Sequence, residues 1–79
     1  MTASDLLERM RRNSAGDWRI EDVERPCRDH GLLFRAGKTS HCHAKYPGVH
    51  EILTIPARRP IKPVYIRKLV RYIEAYGGG

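Results

Sequence analysis

The chain has 79 residues, 41% of them hydrophobic and 30% charged, with 15 lysines and arginines against nine aspartates and glutamates and a net charge of +6. That length suits one small domain with a modest core and excludes a large enclosed substrate pocket, so an active site here is expected on an open surface. No apolar run is long enough to span a membrane and no signal peptide opens the chain, which predicts a soluble, cytoplasmic protein with no membrane partner.

The two cysteines, Cys27 and Cys42, are too few for a disulfide framework and read as small buried thiols in a reducing compartment. The charge is uneven. Residues 1–34 hold six basic and seven acidic side chains, a net of −1, and residues 35–79 hold nine basic and two acidic, a net of +7. A basic half of this kind favours phosphate backbones; the plainer reading is a solubilising surface.

In chain order, Ser4 is placed to cap a first helix over 5–12, with Leu6, Leu7 and Met10 as its apolar stripe and Asp5 and Glu8 in its first turns. Residues 13–17 break it. Ile20, Val23 and Cys27 recur at helical spacing, which predicts a second helix from about Glu21 to His30, stopped by Gly31. Pro26 interrupts that pattern, so the helix either kinks there or starts close to it.

Leu32 to Arg35 reads as a short strand, and Ala36-Gly37-Lys38 as the turn after it. Residues 38–46 read as the second strand. Side chains alternate along a strand, so His41, His43 and Lys45 share one face while Cys42, Ala44 and Tyr46 share the other. Tyr46-Pro47-Gly48-Val49 is a type II turn signal, and Glu51 to Ile55 is a third strand rich in β-branched residues. The loop over 56–62 is basic, and its prolines are expected to keep it out of the sheet. A last helix is predicted from Pro63 to about Ala75, burying Ile66, Leu69, Val70 and Ile73 and exposing Arg67, Lys68 and Arg71. The tail over 77–79 frays. The whole chain, 1–79, reads as one α+β two-layer domain of order α-α-β-β-β-α, with a three-stranded antiparallel meander covered by helices on one face.

The stretch from Ile20 to Gly77 resembles the HicA family of bacterial toxins, the ribonuclease half of HicBA toxin–antitoxin pairs. The matching features, in order, are a helix ending at Gly31, a strand with Arg35, Ser40-His41 where the family has Gly-Ser-His, Leu53-Thr54-Ile55-Pro56, and the final helix opening Lys62-Pro63-Val64-Tyr65-Ile66-Arg67-Lys68-Leu69. Thr39 stands where a glycine is usual, and Cys42 where a second histidine often follows. The first helix, within 1–15, lies outside the family core. The resemblance implies a double-stranded-RNA-binding-like fold, cleavage of mRNA, His41 as the catalytic histidine, and neutralisation by a HicB-like antitoxin, expected in a hetero-oligomer; that the cleavage needs no metal or cofactor is expected from the chemistry of RNA itself.

The chemistry is consistent with that implication. RNA carries its own nucleophile, the 2′-OH, beside the phosphate to be cut, so proton transfer and charge stabilisation suffice. Histidine, with an unperturbed pKa of about 6.5, suits the first task. Lys45 or a loop arginine suits the second. Candidate RNA contacts are Lys38, Ser40, His43, Lys45, Arg58, Arg59 and Lys62. His43, with its Cα about 6.6–6.8 Å from that of His41, is a candidate for phosphate contact or for a second proton transfer. Against these stand a surface histidine without a role and a solvated basic loop. Cys27, His30, His41, Cys42, His43 and His50 are residue types that bind zinc, but there is no Cys-x-x-Cys, and adjacent strand residues cannot all face one ion. Trp18 and the four tyrosines read as core or partner contacts rather than base-stacking groups. A non-catalytic RNA-binding module is the alternative function, and a protein that chiefly binds a partner is a third.

Overall fold

A computed structural model describes residues 3–36 and 40–76, apart from the side chains at positions 3 and 4. The element order is α1 (Ala3–Arg12), α2 (Ile20–Asp29), β1 (Leu33–Ala36), β2 (His41–Lys45), β3 (Leu53–Pro56) and α3 (Pro63–Tyr76). It is the α-α-β-β-β-α order the sequence predicts. The sheet is antiparallel in the order β1-β2-β3.

The helices cover one face of that sheet. Met10, Val23, Cys27, Ile55, Ile61, Ile66 and Leu69 are almost wholly enclosed between them. α1 begins at Ala3, so Ser4 sits inside its first turn rather than ahead of it; the side chain expected to cap lies outside the described residues. This helix is no appendage. Leu6, Leu7 and Met10 enter the common core, and Arg11 pairs with Glu74 on α3.

α2 runs through Pro26, which is buried inside it, so the helix does not begin at the proline. At its start the Asp22 carboxylate accepts the Arg19 N–H at 2.9 Å, using one of the donors a helix N-terminus leaves unpaired. Its end is a Schellman motif. Leu32 N–H donates to Cys27 C=O at 2.8 Å, Gly31 N–H donates to Arg28 C=O at 3.1 Å, and Gly31 takes a φ of +82°. No atom crowds the position of a Cβ there, so Gly31→Ala should lose only the backbone preference, about 1 kcal/mol, read as a shift in the urea midpoint with an unchanged slope.

The strands differ from the sequence reading at their ends. β2 is His41–Lys45, shorter than the 38–46 expected; Tyr46 lies beyond it, and Gly37, Lys38 and Thr39 lie outside the described residues. β3 starts at Leu53, not Glu51, and ends on Pro56. The expectation that Pro56 stays out of the sheet is corrected. β3 is an edge strand, and a proline is tolerated there because its missing N–H breaks no ladder bond. The turn into β3 is as predicted, with Val49 N–H donating to Tyr46 C=O at 3.1 Å and Gly48 at φ +84°. Tyr72, one of the four tyrosines read as core or partner contacts, is core and 3% exposed. Its hydroxyl accepts the Tyr46 N–H and donates to Glu51 C=O, and its ring stacks on Tyr46. It thereby clamps the chain between β2 and β3. Among the described residues, no helix is long and apolar enough to cross a membrane.

Candidate active site

β2 presents the alternation that its sequence demands. His41 and His43 are exposed, Cys42 and Ala44 are buried, and Lys45 is half-buried. The register places Arg35 and Thr54 on either side of His43, Pro56 beside His41, and Leu33 beside Lys45. The open face therefore carries Arg35, His41, His43 and Lys45 together. His43 is tied to Thr54, with Nδ1 3.1 Å from the hydroxyl oxygen.

His41 stands at one end of that face, in a cleft of about 350 Å3 lined also by Ser40, Pro56, Arg58, Pro60, Lys62 and Tyr65. Three of the predicted contacts, Ser40, Arg58 and Lys62, thus meet His41. His43 and Lys45 share its face but not its cleft, and Lys38 lies outside the described residues. A larger cleft of about 490 Å3 between β3 and α3 contains no histidine.

The loop from Ala57 to Lys62 decides which cations reach the cleft, and it alternates like a strand. Arg58, Pro60 and Lys62 face His41. Ala57 and Arg59 line a separate hollow with Arg19, Ile20 and Glu21, and Ile61 is buried. Two anchors hold this arrangement. Ile61 N–H donates to Trp18 C=O at 2.8 Å. Arg59 makes a two-pronged bond to the Asp17 carboxylate, at 3.1 and 2.6 Å. That hydrogen bond lowers the Asp17 pKa and raises that of Arg59. Arg59, predicted to grip RNA beside Arg58, pairs with Asp17 on the far side of the loop.

Tyr65 is the residue sequence reasoning missed. It stands half-buried in the first turn of α3 with one side in the His41 cleft and the Lys68 ammonium 5.6 Å from its ring. Its position two residues after Pro63, on the helix that follows the basic loop, was the available signal. Trp18, by contrast, is core, with its indole N–H donating to Asn13 C=O at 2.7 Å.

Neither thiol lines the His41 cleft. Burial pushes the Cys27 thiol up to about 12 and raises that of Cys42 as well, so both stay protonated and unreactive near neutral pH. Among the described residues, no three His, Cys, Asp or Glu side chains are grouped to hold a metal ion. Compared with family models, curated protein sequences and solved structures, the chain gives no match.

Proposed function

We propose that this protein is a HicA-like toxin, an endoribonuclease that cuts mRNA without a metal and is held in check by a HicB-like antitoxin. The observation that carries the reading is the meeting of an exposed histidine with two cations and a tyrosine in one open cleft: His41, Arg58, Lys62 and Tyr65. Each supplies something RNA cleavage needs. His41 transfers the proton as the 2′-oxygen attacks phosphorus and the 5′-oxygen leaves. Arg58 and Lys62 face the charge that builds on the phosphate oxygens. Tyr65 offers a ring for an adjacent base. Arg35, His43 and Lys45 extend the cationic and hydrogen-bonding surface along the sheet for the flanking backbone. Cleavage of mRNA in the cytoplasm stops translation, which is the toxic effect, and a partner that covers the open face relieves it.

The test is incubation of the purified protein with single-stranded RNA in excess EDTA. Discrete RNA fragments are expected. RNA that is bound but left intact would sink the nuclease reading and leave a non-catalytic RNA-binding module, and RNA neither bound nor cut would remove both.

A further inference from the structure

The opposite end of the same sheet has a different character. Leu33 is 62% exposed and Ile52 56% exposed. Leu33 pairs directly with Lys45, and continuing the β2–β3 register places Ile52 on the other side of that lysine. The two aliphatic side chains astride that lysine form an exposed apolar patch of the kind that suits a protein partner.

The backbone beside this patch also faces outward at Thr54. Ala57 N–H donates to Ser40 C=O, which makes that a hydrogen-bonded pair. By alternation along the register, Cys42 with Ile55 and Ala44 with Leu53 are hydrogen-bonded pairs too, and His43 with Thr54 is not. The close His43–Thr54 side-chain contact fits that assignment, since side chains approach most closely in such pairs. Thr54 therefore turns its own N–H and C=O away from β2, toward the open edge. That edge forms one wall of the cleft of about 490 Å3, in which Glu51 to Thr54 face α3 across Lys68 and Arg71. The cleft's carboxylate, Glu51, accepts a hydrogen bond from the Tyr76 hydroxyl at 2.7 Å.

We propose that this edge takes up an extended segment of a partner protein, added beside β3 as a fourth strand, with acidic side chains toward Lys68 and Arg71 and apolar ones toward Ile52. Backbone bonds to Thr54 supply the pairing, and the alternation of acidic and apolar residues supplies the selectivity. The surface lies at the other end of the sheet from the His41 cleft, and the inference stands whether or not the protein cleaves RNA.

The probe is a short synthetic peptide alternating Glu and Val, titrated into isotope-labelled protein and read from amide chemical shifts and hydrogen exchange. Slowed exchange at Thr54 and shifts confined to β3 and α3 are expected. Affinity should fall about tenfold when Lys replaces Glu in the peptide, and about tenfold in Lys68→Glu/Arg71→Glu, as two exposed charge pairs turn from attractive to repulsive. Thr54→Pro should stop strand addition. If that variant does not fold, the charge reversal on the exposed face of α3 still decides. Equal binding of acidic and basic peptides, or none at all, overturns the proposal. So do shifts of these amides by a single-stranded oligonucleotide but not by the peptide, which would make the edge an RNA subsite. Concentration-dependent pairing of β3 with a second copy of the chain would likewise overturn it.

Discussion

Replacing His41 with alanine is expected to lower RNA cleavage by about 10²-fold or more, the range for loss of a general acid–base group, while RNA affinity stays nearly unchanged. His41 is exposed on the open face of β2, so its removal opens no cavity and should change stability by less than about 0.5 kcal/mol. The contrasting substitution is Arg58→Ala with Lys62→Ala, since these are the loop cations that face the cleft. Binding should weaken, and the slope of log affinity against log salt should flatten by about one unit for each phosphate that is no longer neutralised. Cleavage at saturating RNA should be less affected. Single-turnover cleavage and fluorescence anisotropy, run on both variants across a salt series, separate the two effects. Parent-like cleavage by His41→Ala would remove this histidine from the chemistry.

The other large effect lies in the core. Ile66 is fully enclosed on the inner face of α3, where the three helices and the sheet share one cluster. Ile66→Ala removes buried methyl groups and leaves a space the neighbours fill only in part, at a cost of about 2–5 kcal/mol. A small domain has roughly 5–15 kcal/mol in total, so this one change removes much of its stability. Urea unfolding followed by tryptophan fluorescence measures it, because Trp18 belongs to the same cluster. A midpoint like the parent's would mean that α3 does not seal the core in solution.

Where local chemistry has a short period, the sequence is readable. The two faces of β2 follow from five residues, because a strand repeats every two. Gly31 ends α2 as expected, because a positive φ leaves few other residues. The apolar stripe of α3 falls on the residues its spacing picks out. What was not legible depends on partners distant in the chain. β3 extends to Pro56 because β2 lies beside it, and proline's depletion from strands hides that. The four tyrosines read alike as core or partner contacts, and that Tyr72 is the buried one follows from the chain between β2 and β3 folding over it. Arg58 and Arg59 look equivalent as neighbours, yet Asp17, far back in the chain, claims one of them. The position of Ile61 held the clue. An apolar residue in a basic loop has to point inward, and in an extended segment that sends its neighbours outward.

That loop has a consequence for how the site can change over generations. Its odd-numbered residues, Arg59 and Ile61, carry the attachments to Asp17 and Trp18. Its even-numbered residues, Arg58, Pro60 and Lys62, line the cleft. Drift at the even positions can retune what the cleft accepts without loosening the loop, and drift at the odd positions can loosen the loop without altering its charge toward the ligand. Selection for a new target and selection for rigidity therefore act on separate letters of the same short word.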